Sequence, residues 1–413
     1  MTDDTRATLV SSDVRRHNLS AILDALAVRG PLSRSEIAEH TGLTRGAVTL
    51  LAGTLVDLGL VQEPAQSVGD AAPVPTGVRR GRPRTRLQLA GDRLALLVLQ
   101  LDADSATAVI STLAGDELTR VARHHGRPMG DPDRIIDVLA DVLREAMDAT
   151  TRLGRAVVDL TVIAFAPVGG DPTIVLADTD LEWGEVDLLG ELSARVPSMP
   201  QARLVSDTVA AAAAELALRP GVGDLVYLKS NSGIGGALVA GGQLLAGAHG
   251  LAGALGHVVV DFGGALCECG QHGCLVTVAG PDVVLHRAGL DDVVRDSGLA
   301  TALAEFVARV EASDPLACAV WADAAEWIVR TLRIFALALD AEAIVLGGYW
   351  AAPALAERIR LMIGDEWPTL GGGKPRLTVE RSTLGDDAAI IGAIAAARDR
   401  LFADPAALAA PVD

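Results

Sequence analysis

The eighteen residues from His257 to Cys274 constrain this chain more tightly than any other stretch. They place His257, Cys267, Cys269 and Cys274 so that one loop can fold back on a single tetrahedral metal. Thiolate sulfur and imidazole nitrogen are the ligands zinc prefers. Four protein ligands make a closed structural site, without the open position that catalysis uses. Gly270 and Gly273 flank Gln271 and His272, which suits the tight reversal that short cysteine spacings require. The alternative is a set of ordinary buried thiols. Three of the chain's four cysteines within eight residues, beside a histidine, favour zinc. His272 is a rival nitrogen ligand, disfavoured by its place in the turn between the glycines. Cys318, alone in an alanine-rich helical stretch, reads as a core residue.

With 413 residues, half of them hydrophobic, the chain has room for two or three domains around large cores. The clustered cysteines argue for a reducing compartment and against a disulfide framework. The opening MTDDTRATLV lacks the pattern of a signal peptide, and no apolar run approaches the ~20 residues of a spanning helix, so a cytoplasmic protein without a membrane partner is expected. A net charge of −18 speaks against nucleic acid, yet the charge is uneven: residues 1–90 hold 11 arginines against 9 acidic residues, leaving −20 for the rest. Only the N-terminal segment is electrostatically fit to meet DNA.

In that segment Leu19, Ile22, Leu23 and Leu26 have the spacing of an amphipathic helix, stopped by Gly30-Pro31. Ser33 with Glu36 makes a capping box for a short helix from Arg34 to His40. Thr41-Gly42 turns the chain, and Thr44 opens a third helix with Val48, Leu51, Leu55 and Leu58 inside. Helix, turn and helix in this order predict a helix-turn-helix, in which the N-terminal residues of the third helix reach base edges. The expected DNA-binding residues are therefore Arg45, with Thr44 and Thr49 beside it and Ser33 and Arg34 on the helix before. The plainer alternative is a three-helix module packed against protein. Leu58 to Val61 ends the helix and starts the strand of a wing, and residues 64–77 read as its tip or loop. The following Arg-Gly-Arg-Pro segment puts Arg80, Arg82 and Arg84 on a strip slim enough for an A·T-rich minor groove. A charged linker is an equal reading of those arginines.

Beyond Leu87 apolar strands alternate with helices. Leu94 to Leu101 and Thr107 to Leu113 read as adjacent strands, Arg134 to Ala149 as a helix and Leu160 to Pro167 as a buried strand. Arg203 to Val205 feeds an alanine-rich helix from Val209. Leu225 to Lys229 and Ala237 to Ala240 flank a glycine turn, Ser230 to Gly236, and Ile344 to Leu346 ends at Gly347-Gly348. The alternation implies an α/β domain with a mixed sheet, and such glycine turns let backbone N–H groups approach an anion.

Taken together, the helix-turn-helix, the glycine turns and the cysteine loop give a chain that resembles the ROK family (repressor, open reading frame, kinase). Leu181-Glu182-Trp183 is similar to that family's sugar loop, and Ser206-Asp207 with the alanine-rich helix to Glu215 is similar to its catalytic aspartate segment. Gly253 to His257 and the cysteines resemble its histidine and zinc motif, and Ala389 to Leu401 its last helix. The resemblance implies a winged helix-turn-helix followed by a two-lobed actin-like sugar-kinase body. The expected domains are 1–88 for DNA binding, 89–204 plus 388–413 for the first α/β lobe, and 205–387 for the second. It also implies an effector site built on Ser206, Asp207 and His257.

The departures from the family pattern shape the functional expectation. Family kinases open with an Asp-x-Gly-Gly-Thr phosphate loop, whereas the aligned stretch here runs Asp102-Ala103-Asp104-Ser105-Ala106-Thr107. Asp104 adds bulk and negative charge where a triphosphate lies. Two carboxylates that hexose-binding members use are replaced by Ala254 and Val276. The expected protein is therefore not an enzyme but a DNA-binding transcriptional regulator, a repressor. It acts as a homodimer or homotetramer on a double-stranded operator and responds to a sugar or related small molecule. The alternatives are an ATP-dependent sugar kinase with Asp207 as base, and a regulator whose vestigial pocket has passed control to a protein partner.

Overall fold

The computed structural model describes residues 4–63, 85–90, 93–126, 129–171, 173–177, 181–364 and 377–405. At its N-terminal end three helices fold for local reasons. Helix α1 (Asp4–Arg29) buries Leu19, Ile22, Leu23 and Leu26 and ends where Gly30 turns to φ 73°. The apolar pattern starts this helix near Asn18, but the helix begins well before that, at Asp4. Once a first turn exists and packing anchors one half, each added residue costs little.

After strand β1 (Leu32–Ser33), helix α2 (Arg34–Thr41) is opened by the expected capping box. The Ser33 hydroxyl accepts from the Glu36 N–H at 3.3 Å, and the Glu36 carboxylate accepts from the Ser33 N–H at 2.7 Å. Gly42, at φ 72°, closes α2, and Thr44 caps α3 (Arg45–Asp57) by accepting from the Ala47 N–H at 3.2 Å. Strands β2 (Val61–Gln62) and β3 (Arg86–Leu89) pair antiparallel, with β1 on the other side of β3. This is the wing. Residues 64–77 and Arg80, Arg82 and Arg84 lie outside the described residues.

The body holds two five-stranded sheets. The first comprises β4 (Leu94–Leu101), β5 (Ser105–Ser111), β6 (Glu117–His124), β7 (Ala156–Ala164) and, beyond the small hairpin β8 (Val168–Gly169) and β9 (Ile174–Val175), β10 (Ala202–Ser206). Helices α4 (Pro132–Arg152) and α5 (Leu188–Arg195) cover it, and α6 (Asp207–Ala217) leads out of it. The second sheet comprises β11 (Leu225–Ser230), β12 (Ile234–Ala240), β13 (Gln243–Leu244), β14 (Ala343–Gly348) and β15 (Thr378–Arg381). Between β13 and β14 run the cysteine loop, four helices α7 (Val276–Ala279), α8 (Pro281–Arg287), α9 (Asp291–Ser297) and α10 (Leu299–Glu311), and the long α11 (Pro315–Leu339). Helices α12 (Pro353–Gly364) and α13 (Ala388–Ala403) follow.

The two sheets repeat one topology. In each, the first strand pairs antiparallel with the second, the second or its neighbour continues antiparallel to the third, and the fourth and fifth strands add in parallel on the other side. The hairpin turns between first and second strands, at Asp102–Asp104 and Asn231–Gly233, occupy equivalent places and both line the cleft between the lobes. Strands β6 and β15 have no counterpart in the apolar pattern. They are sheet edges whose side chains are mostly exposed, so hydrophobic alternation is weak there.

Helix α13 ties the parts together. Its Ile390, Ala393, Ile394 and Phe402 belong to one apolar cluster with Leu19, Ile22 and Leu23 of α1 and with Ala210 and Ala211 of α6. The helix packs on both. At the crossing with α6 a side chain on Gly392 would lie 1.8 Å from the Ala210 carbonyl oxygen. The backbones are therefore too close for any other residue. Gly392→Val is expected to push α13 off α6, lowering thermal stability by at least about 1–3 kcal/mol, the usual range for overpacking. Thermal unfolding of the variant beside Gly53→Ala, a helix glycine with room around it, checks this; equal midpoints would show that the crossing tolerates a side chain.

Candidate functional site

The cleft between the lobes has a volume of about 1930 Å³. Its polar floor is built from three elements. Asp207 is the first residue of α6, which starts directly after β10 ends at Ser206. Its Oδ1 accepts from the Thr208 N–H at 2.6 Å, so the helix start holds the carboxylate in place. From β11, Lys229 brings its Nζ to 2.5 Å from Asp207 Oδ2. Both side chains are largely buried, at 15% and 5% exposed. From the end of β4, Asp102 accepts from Gln100 Nε2 at 2.7 and 2.8 Å.

Charge explains the protonation states. Burial alone would drive the Lys229 ammonium to neutrality, but Asp207, Tyr227 and Asp102 outweigh it and raise its pKa above the ordinary lysine value. Asp102 is pushed up to about 6, first by burial and then by the fields of Asp207 and Asp386, against Gln100 and Lys229. Lys229 was not among the residues singled out from the sequence, although its position at the end of an apolar strand is unusual enough to have marked it. The other expected cleft residues fall as follows. Trp183 is 5% exposed and lines the wall, with its Nε1 unpartnered. Ala254, Val276 and Asp104 also line the cleft. Glu215 is fully buried elsewhere, with its carboxylate 2.6 Å from Arg219, which in turn reaches Glu380 of β15. Cys318 is half-buried, its thiol 3.7 Å from the Val310 carbonyl.

At the mouth of the cleft, the short 3-10 turn Leu255–His257 delivers His257. Its Nδ1 is 3.6 Å from Cys267 Sγ, and Cys269 Sγ is 3.6 Å from Cys274 Sγ. One ligand atom from each of these four residues lies within 4.8 Å of the others. Bonds of 2.0–2.3 Å to a tetrahedral ion imply ligand separations of about 3.5–3.8 Å, so the donors fit a metal. The loop is pinned by bridges between Val259 and Cys274 and between Leu266 and His272. Gly273, at φ 73°, presses so close to Asp261 that a side chain would lie 1.7 Å from its carbonyl oxygen. His272 turns the other way, with Nδ1 3.1 Å from the Gly264 carbonyl, and is not one of the four. Burial and the neighbouring Cys269 and Cys267 thiols push Cys274 up to about 12. At Cys269 burial acts the same way, but hydrogen bonds from the Gln271 backbone and the neighbouring cysteines hold it below the ordinary value. Three thiolates coexist there only with a cation to hold them.

On the head, Arg45 is exposed at the start of α3, and the Thr49 hydroxyl donates to its carbonyl at 2.8 Å. Thr44 is spent on the helix cap. Two expected DNA contacts stand elsewhere. Ser33 is 4% exposed with its hydroxyl committed to α2, and Arg34 leans to 3.7 Å from Glu63 at the end of β2. Ser33 is both buried and committed to its cap, whereas Thr44 caps α3 while staying exposed.

Two measurements check these centres. Cys269→Ser is expected to bind less metal and to unfold at a lower temperature, and a chelator should reproduce the shift in the unmodified protein. Metal analysis and thermal unfolding decide it, and an unchanged midpoint after complete metal removal would deny the loop a structural role. For Asp102 the folded pKa lies above that of the unfolded chain, so its ionisation works against folding. The penalty is absent below about pH 4 and grows as pH rises through about 6, to at most about 3 kcal/mol. Asp102→Asn is expected to raise the unfolding midpoint by a few degrees near pH 7.5 and by nothing near pH 4. A pH-independent difference would place the carboxyl outside the buried network.

Comparison with known proteins fits this geometry. The ROK family model matches residues 104–400, and an IclR helix-turn-helix domain matches residues 18–65. A kanosamine kinase of Amycolatopsis mediterranei is 28% identical over 267 residues, 63% of this chain and 84% of its own. The DNA-binding transcriptional dual regulator NagC of Escherichia coli K12 is 24% identical over 280 residues, 66% of this chain; the match spans 65% of that regulator's length. In three dimensions the chain is similar to a ROK family transcriptional regulator described as a homolog of the E. coli MLC protein. The TM-score is 0.71 at 22% identity, covering 95% of this chain and 97% of that one, a likeness of fold. The chain is therefore a member of the ROK family that carries a helix-turn-helix of the IclR type ahead of the ROK body.

Proposed function

We propose that the protein is a DNA-binding transcriptional repressor, acting in the cytoplasm, that a sugar or related metabolite controls from the cleft between its lobes. The observation that carries this reading is the fusion itself: a winged helix shares one apolar core, through α13, with the helix whose first residue is Asp207. NagC, a regulator by name, is 24% identical over 66% of this chain. On a dimer or tetramer of the body, two heads would meet the two halves of a pseudo-palindromic operator, with Arg45, Thr44 and Thr49 of α3 toward the bases. Arg80, Arg82 and Arg84 would add contacts to the minor groove or the phosphates. Effector binding near Ser206, Asp207 and His257 would shift the population of DNA-competent molecules by its differential affinity for the two states. Zinc is the ion that the His257, Cys267, Cys269 and Cys274 set suits best, in a structural role.

The kinase reading has relatives in its favour, among them the kanosamine kinase. Against it stands the Asp207 carboxylate, which is already ion-paired to Lys229 at 2.5 Å and so is a poor base. No helix among the described residues is long and apolar enough to cross a membrane.

The test is a DNA-binding assay on the protein's own upstream region, with Arg45→Ala beside it. Loss of one base contact is expected to weaken specific binding by about 1–3 kcal/mol and to spare nonspecific binding. Binding of random DNA only, or ATP-dependent phosphorylation of a hexose that Asp207→Ala abolishes, would turn the conclusion to the kinase.

A further inference from the structure

The sign of the cleft's charge narrows the ligand. Among the described residues, the carboxylates of Asp102, Asp104, Asp171, Glu182, Asp207 and Asp386 line the cleft, against the ammonium of Lys229. That lysine is not available to a ligand, because Asp207 holds it at 2.5 Å and Asp102 adds to the field around it. A concave site lined by one sign of charge focuses its field on what enters, favouring a counter-charge and opposing a like charge.

An independent observation points to a donor-bearing ligand. Gln100 lines the cleft, is 4% exposed, and spends its amide nitrogen on Asp102. Its carbonyl Oε1 is left buried without a hydrogen-bond partner. A buried acceptor without a donor costs free energy, which a ligand N–H or O–H would relieve. Trp183 also lines the cleft, largely buried, with an unpartnered Nε1 donor. The site thus combines acceptors, excess negative charge and an aromatic wall.

From this we infer that the effector is a cationic, amine-bearing sugar or cyclitol, and that neutral and phosphorylated sugars are discriminated against. The inference rests on the reading of the cleft as an effector site and specifies its ligand class. A phosphate would enter a field of the same sign, at the hairpin turn where Asp102 and Asp104 stand. A neutral hexose would satisfy Gln100 but bring no counter-charge to the acidic wall. An ammonium does both.

The test is calorimetric titration of the full-length, zinc-loaded protein with amino-deoxyglucoses bearing the amine at carbon 2, 3, 4 or 6. Each is run beside glucose, its own N-acetyl derivative and glucose 6-phosphate, and operator binding is measured separately on the same preparation. At least one amine is expected to bind about tenfold more tightly than glucose, to lose that margin on N-acetylation and to weaken as salt rises. In Asp104→Asn/Glu182→Gln, with folding checked by thermal unfolding and by operator binding, the margin of the amine over glucose should shrink, and an unchanged margin would overturn the charge argument. Tighter binding of glucose, an N-acetyl sugar or the phosphate than of every amine would overturn the charge argument and leave the effector reading standing. Operator binding without heat from any compound would overturn both the ligand class and the use of the cleft for sugars, while the DNA-binding reading survived. Absence of specific operator binding would instead count against the repressor itself.

Discussion

The buried ion pair between Asp207 and Lys229 is the contact on which the character of the cleft depends. It joins the first residue of α6 to the central strand of the second sheet, so it crosses from the helix between the lobes to the lobe beyond. In such a place the attraction of two charges must outweigh two desolvation costs, and it does so only when both partners stay. Removing either would strand the other as an unpaired buried charge, at a cost of about 3–5 kcal/mol. The same pairing would make the aspartate a weaker base, which is why the proposed regulator and the ion pair fit each other.

Much of the architecture was legible from residue spacing because its signals are local. Ser33 with Glu36, Gly42 and Thr44 delimit α2 and the start of α3 within a few residues of each other, and each is explained by a hydrogen bond that the backbone needs. The four metal-site donors were legible for the same reason: tetrahedral chemistry demands short spacings. What the spacing did not show is what depends on pairing across long distances. Strand β6 hides because an edge strand shows solvent nearly everything, and the repeat of one strand order in both sheets leaves no shared residues to read. The partner of Asp207 lies 22 residues along the chain and is brought to it only by the sheet.

The metal loop and the cleft also turn out to be one structure. His257 is shared: its turn lines the cleft, its Nδ1 faces the cysteines, and Cys269 and Gln271 reach the same wall. A loop rich in glycine would otherwise pay a large conformational entropy to hold that wall still. Four coordinate bonds to a metal would offset it, and the close approach of Gly273 to Asp261 leaves the backbone one path. A cation there would give a ligand a fixed surface to meet.

Helix α13 has a consequence in time as well as in space. Among the described residues it lies far along the chain from α1, yet it packs against it. Because domains form as the chain emerges, the helices of the head are synthesised long before the surface that orients them. Until α13 is made, the apolar cluster that the head shares with α6 lacks the residues that join the two. Only a chain that has reached α13 can aim the head.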